Sequence, residues 1–250
     1  MQAYLSKNEL SKAMLYGTSN GGKRIRPYLI SIFGKIANLP INSYYQLSAA
    51  VECIHSYSLI HDDLPCMDDD DYRRGKLSVH KKFNEAQAIL AGDSLHDMAF
   101  EILSDNKIHK NAEIRINLVK LLSSAVGLNG LAGGQSLDLY FENKKTNKSN
   151  IINMYNLKTA VLFRFCCVAP FIMTNQSKEN INFAKRYGEN FGLIYQIIDD
   201  YIDEIGTCNK LGKTPGKDKK SGKSTILQHL KKNNVIKYCE NIANRFIILN

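Results

Sequence analysis

Five long segments of this 250-residue chain repeat their apolar residues at helical spacing: 47–61, 86–103, 114–131, 151–171 and 183–205. Residues three or four apart share one face of a helix, whereas a half-buried strand alternates every second residue. Alternating runs of useful length are absent, so the sequence predicts an all-α fold. The prolines Pro27, Pro40, Pro65, Pro170 and Pro215 fall mostly near segment ends, where a fixed φ and a missing N–H start or stop helices. Loops are expected over 38–43, 104–111, 142–150, 174–179 and 206–224. None is long or biased enough to be a domain linker, and no solenoid-type repeat is found. A large helical fold can absorb this length around one core, so a single domain over residues 1–250 is expected.

Charge narrows the function. The formal net charge is +9, but it is segregated: Lys210 to Lys237 holds nine lysines and one acid, Asp218, whereas Asp62 to Asp71 holds six aspartates in ten positions. A basic excess suits nucleic acid, an anionic membrane surface or small polyanionic substrates. Without a zinc-finger, RNP or basic-zipper pattern, a nucleic-acid partner is not expected. No stretch approaches about 20 apolar residues free of charge and glycine, so no membrane span is expected. The N-terminal MQAYLSKNELSKAML is polar and amphipathic, without the apolar core of a signal peptide. The six cysteines include no C-x-x-C pair, which fits reduced thiols and a cytoplasmic location, or an organelle stroma.

Two acidic motifs carry the chemistry, and they echo one another: LIHDDLPCMD and QIIDDYIDEI each place paired aspartates at the end of an apolar run. Asp199 and Asp203, four apart on a helix, are separated by about 40° and project from one face. Like charges at that spacing repel, and a bound cation would relieve them. In the first motif Asp62 and Asp68 would diverge on an unbroken helix. Pro65 predicts that the helix ends there and lets Asp68 swing back toward Asp62. Such carboxylates suit magnesium held jointly by protein and phosphate.

An acidic run is ordinarily a solvated surface, but two such motifs on apolar helices weigh against that reading. A calcium loop fails, because counting from Asp62 or Asp68 puts neither glycine at position six nor glutamate at position twelve. Cations flank the acids: Lys23, Arg24 and Arg26 in GGKRIRP, then Arg73 and Arg74. Arginine forks suit phosphate oxygens, and Gly21 and Gly22 let backbone amides approach an anion. Gly216 to Ser224 imitates a nucleotide-binding P-loop, but five residues separate its glycines instead of four and no strand precedes it.

The ordered set GGKRIRP, ECIHSYSLIHDDLPCMDDDDYRRGKLSVH, LAGDSL, GLAGGQSLDL, LKTA, YQIIDDYID and GKTPGKDKKSGKST resembles the trans-prenyltransferase family, specifically farnesyl and geranylgeranyl diphosphate synthases of the bacterial and plastid type. The resemblance implies an isoprenoid synthase helical bundle around a central active-site cavity, acting as a homodimer. It implies that Gly22, Lys23, Arg26 and His55 hold isopentenyl diphosphate with help from Arg74. Arg73, Lys158, Thr159, Gln196, Lys213 and Lys223 would grip the allylic diphosphate, with Lys158, Thr159 and Gln196 nearest the chemistry. Asp62 and Asp68 would bind two magnesium ions and Asp199, helped by Asp203, a third. Asp63 and Asp200 look like supporting or cation-pairing residues. His55 precedes Asp62 by seven positions, about two turns, which independently puts both on one face.

Product length is implied by Tyr57 and Ser58, five and four positions before the first aspartate, where the family lines its tunnel floor. An aromatic there, with two extra residues within DDLPCMD, resembles the farnesyl type. The alternatives are a geranylgeranyl diphosphate synthase and a non-catalytic subunit of a heteromeric synthase, which often loses one aspartate motif. A terpene cyclase would not need the Lys23, Arg26 and His55 site. Relatives usually carry another helix or more before GGKRIRP and after GKSTIL, so a weakened dimer, low activity or relaxed product length is expected.

Overall fold

The structure, a computed structural model, describes residues 8–205 and 222–248. Lys213, Cys208, Pro215 and all but the end of the P-loop-like stretch lie outside the described residues. Helices α1 (Glu9–Ser19), α2 (Ile25–Ile36) and α3 (Ile41–Asp62) come first, followed by a short hairpin of β1 (Tyr72–Arg73) and β2 (Lys76–Leu77). Then come α4 (Val79–Lys82), α5 (Glu85–Ser104), α6 (Ala112–Val126), α7 (Leu131–Phe141) and α8 (Lys148–Tyr155). A π-helical turn (Asn156–Ala160) joins α8 to α9 (Val161–Met173); α10 (Lys178–Ile205) and α11 (Val235–Ile248) complete the fold.

Asparagine starts four of these helices. Asn8, Asn84, Asn111 and Asn147 each accept a first-turn backbone N–H on the side-chain oxygen, satisfying a donor that the helix itself leaves orphaned. The long pair α3 and α5 packs side by side, as does the pair α9 and α10, with α2 bridging α3 to α9. Helix α9, apolar on nearly every face, is the buried strut, and Phe163, Phe165, Cys166 and Cys167 are each at most 1% exposed. A second core gathers Phe141, Ile151, Tyr155, Ile197, Ile226 and Val235 where α10 meets α8 and α11.

Differences from the sequence reading have local causes. The segment 114–131 is two helices, broken over Gly127 to Gly130. Helix α7 leaves little sign in the sequence, because two glycines in its first turns weaken the helical preference and tertiary packing supplies it. The hairpin is too short to alternate; its turn residues Arg74 and Gly75 both have positive φ, 55° and 76°, the backbone of a type I′ turn. Two stretches are long and apolar enough to cross a membrane by length and composition alone, a test that the core helix of a bundle also passes. One, Lys148–Met173, has 72% of its most apolar window buried inside the bundle; the other, Ala112–Phe141, contains the break between α6 and α7.

Candidate active site

Helix α3 ends at Asp62, as Pro65 predicts. The chain then folds back so that the Asp68 N–H donates to the Asp62 carbonyl at 2.8 Å and the Asp70 N–H to the Asp63 carbonyl at 3.1 Å. This turn brings Asp62 and Asp68 to one cleft, which Asp138 of α7, Lys158 of the π turn, Gln196 and Asp199 of α10, and Lys223 also line. A second cleft adjoins it and shares Asp62, Arg73, Lys158, Gln196 and Asp199. Its own walls include Gly22, Lys23, Arg26, His55, Ser58, Arg74 and Thr159.

Ion pairs order the first cleft. Lys158 Nζ donates to Asp138 Oδ2 at 2.5 Å, and Lys223 Nζ to Asp68 Oδ1 at 2.9 Å while standing 3.9 Å from Asp138. Burial tends to raise the Asp68 carboxyl, but Lys223 and Lys158 outweigh it and hold that group below its usual range. Burial pushes Asp62 up to about 6, with Asp68 adding to the effect against Lys158. Added positive charge is what would keep Asp62 fully ionised at neutral pH. Hard carboxylate oxygens from Asp62, Asp68 and Asp199, with one of them short of positive charge, fit a hard divalent cation.

Asp63 pairs with Arg73, which also lies 3.4 Å from Asp70, and β1 aims that guanidinium into both clefts. Arg74, next in the hairpin turn, donates to the Gly21 carbonyl at 2.6 Å and so ties the hairpin to GGKRIRP. In the second cleft Arg26 Nη1 is 3.4 Å from His55 Nε2, and its guanidinium lies 4.4 Å from the centre of the Phe163 ring. Burial, then Arg26, Arg74 and Arg73, hold the His55 imidazole well below its ordinary pKa. It is therefore neutral at physiological pH and accepts from Arg26.

A hydrogen-bonded chain anchors the residues between the clefts. Thr159 Oγ1 donates to Gln196 Oε1 at 2.6 Å, and Gln196 Nε2 donates to Asp200 Oδ1 at 2.8 Å. Asp200 Oδ2 accepts from the Tyr155 hydroxyl, which accepts the Ile226 N–H at 2.8 Å. Tyr155→Phe removes both hydrogen bonds from a buried site and is expected to cost about 1–3 kcal/mol, read as a lower Tm. The π turn that presents Lys158 and Thr159 is clasped between two glycines. A side chain at Gly134 would overlap the Lys158 backbone, and one at Gly192 the Ala160 backbone.

Other expected residues are placed differently. Asp199 is exposed at the clefts, whereas Asp203, one turn on, is 4% exposed. Ser58 lines the second cleft, while Tyr57 turns toward α5, edge-on to His61 at 5.6 Å and to His96 at 5.1 Å. Among the described residues the grouping with the tightest metal-like spacing is Asp69, Asp71 and His80, outside the expected set. Asp71 there already pairs with Lys81 at 2.9 Å. Sequence reasoning assigns no role to Asp138 or Gln135, although both stand in GLAGGQSLDL. Their spacing of three, on one helix face with Leu131, is the available signal.

An all-α bundle in which an acidic, lysine-bridged cleft opens into a basic one suits two diphosphates, one of them bound with a metal, and its relatives place it among the isoprenoid synthases. The polyprenyl synthetase family model matches residues 7–244. Farnesyl diphosphate synthase of Micrococcus luteus is 43% identical over 227 residues, covering 90% of this chain and 77% of that protein. The Escherichia coli farnesyl diphosphate synthase is 42% identical over 216 residues, 86% of this chain and 72% of its own. Geranyltransferase of Helicobacter pylori, solved with magnesium and isoprenyl diphosphate, superposes with a TM-score of 0.87 at 32% identity, over 97% of this chain and 81% of its own. The chain belongs to the polyprenyl synthetase family and is a prenyltransferase.

Proposed function

We propose that this protein condenses isopentenyl diphosphate with dimethylallyl and then geranyl diphosphate, and that its main product is farnesyl diphosphate. The observation that carries the proposal is the pair of clefts meeting at Asp62, Lys158, Gln196 and Asp199. One offers carboxylates and lysines for a metal-bound diphosphate, the other mainly cations for a second diphosphate. The names of the relatives favour a fifteen-carbon over a twenty-carbon product.

In this reading the allylic diphosphate enters the first cleft. Lys158, Lys223 and Arg73 exchange carboxylate partners for phosphate oxygens, and Lys213 would join them on the phosphate. Asp62, Asp68, Asp199 and Asp203 would hold three magnesium ions, which supply positive charge for the leaving diphosphate. The C1–O bond breaks and its electron pair leaves with the diphosphate. Thr159 and Gln196, locked by Asp200, present fixed dipoles beside the allylic cation and need no reorganisation as it forms. Gly22, Lys23, Arg26, His55 and Arg74 hold isopentenyl diphosphate so that its alkene faces that cation. The alkene electrons form the new C–C bond, and a proton leaves to the departing diphosphate. The protein works as a single domain, in a homodimer, in the cytoplasm, without nucleic acid.

Tyr57 and Ser58 set the product length. With geranyl diphosphate and labelled isopentenyl diphosphate the product is expected to stop at fifteen carbons, and Tyr57→Ala to extend it to twenty or more. Product sizing decides this, and an unchanged distribution removes Tyr57 as the floor.

A further inference from the structure

Gln135 is 6% exposed, and both its Oε1 and Nε2 are buried with no hydrogen-bond partner among the described residues. Almost every buried polar group in a native protein is paired, because an unpaired one is destabilising. Gln135 is an exception, and it lines the second cleft beside Leu131, Lys158, Thr159 and Gln196. Thr159 and Gln196 hydrogen-bond to each other and onward to Asp200. The Gln135 amide is committed to nothing described.

Its place on α7 indicates what it meets. Leu131, Gln135 and Asp138 follow one helix face. Asp138 stands in the first cleft on Lys158 and near Lys223, while Leu131 is in the second. Gln135 is about one turn from Asp138 in the first cleft, toward Leu131 in the second, and so lies between the two diphosphate sites of the synthase reading. In the synthase reading, that interval is where the allylic carbons lie.

We propose that Gln135 is a further catalytic residue whose amide oxygen faces the allylic carbons and stabilises their positive charge as the C1–O bond breaks. This rests on the synthase reading. The electron pair of that bond leaves with the diphosphate, and the charge left on C1 and C3 is met by the negative end of the amide dipole. The amide gains and loses no proton. A buried dipole held ready for charge that appears only on ionisation lowers the barrier more than it aids ground-state binding.

The test is Gln135→Leu, similar in size and apolar. With geranyl and isopentenyl diphosphates, kcat is expected to fall about 10- to 100-fold while both KM values stay within about threefold. Because an unpaired buried amide is removed, Tm is expected to rise by about 2–4 °C. Gln135→Glu keeps an acceptor oxygen in either protonation state and is expected to restore kcat to within about tenfold of the parent. A kcat within about twofold of the parent, or a fall in Tm alongside kcat, overturns the proposal, since the latter marks a structural partner. If the parent protein elongates no primer, the synthase reading itself falls and takes this proposal with it.

Discussion

Asp62→Asn is expected to lower kcat at saturating substrates by about a thousandfold or more, because removing one carboxylate from the cation site forfeits several kcal/mol of charge stabilisation at the leaving diphosphate. Steady-state turnover with geranyl diphosphate measures this. Stability should move the other way. The folded carboxyl titrates near 6, above its ordinary 3.8, so between those values the native state binds more protons than the unfolded one. Ionised Asp62 therefore strains the metal-free protein above about pH 6, and the strain fades as pH falls through that value. The metal-free Asn variant is expected to melt higher than its parent at pH 7.5, and the gap to close toward pH 4. Equal activity of the two proteins would remove Asp62 from the site.

The second large effect is expected at Arg26→Met, which keeps the aliphatic bulk and removes the charge. Without the guanidinium, charge-assisted hydrogen bonds of about 1.5–3 kcal/mol to the diphosphate cannot form, so KM for isopentenyl diphosphate should rise about 10- to 150-fold. KM for the allylic substrate should hardly change. Fold stability is not expected to suffer much: burial already lowers the Arg26 pKa, and among the described residues the side chain makes only a long 3.4 Å hydrogen bond to His55 and a contact with the face of the Phe163 ring, which the Met side chain can keep. A matching rise in both KM values would mean that the two clefts do not separate the two diphosphates.

Some of this site is legible in the sequence because the physics is local. Pro65 stops α3 at Asp62, and the fold-back that brings Asp68 beside Asp62 follows from one residue that cannot continue a helix. The seven-residue spacing of His55 and Asp62 likewise puts both on the cleft side of α3. Contacts between elements are not legible. The pairing of Lys158 and Lys223 around Asp138 joins residues from the π turn, a distant loop and α7. The π turn leaves no period in the sequence, and its clasp by Gly134 and Gly192 becomes visible only when α7 and α10 are seen against it. Side-chain direction is the other limit. Asp199 and Asp203 share a helical spacing, yet one faces the clefts and the other is buried. Tyr57 and Ser58 are neighbours in sequence and so point about 100° apart, one toward α5 and one toward the second cleft.

The most direct measurement incubates the purified protein with Mg²⁺, isopentenyl diphosphate and, in turn, dimethylallyl, geranyl and farnesyl diphosphates, and sizes the products. Two diphosphates held at once in adjoining clefts predict elongation of dimethylallyl and geranyl diphosphates, converging on a fifteen-carbon product, with farnesyl diphosphate extended poorly. Failure to elongate any primer would contradict the account.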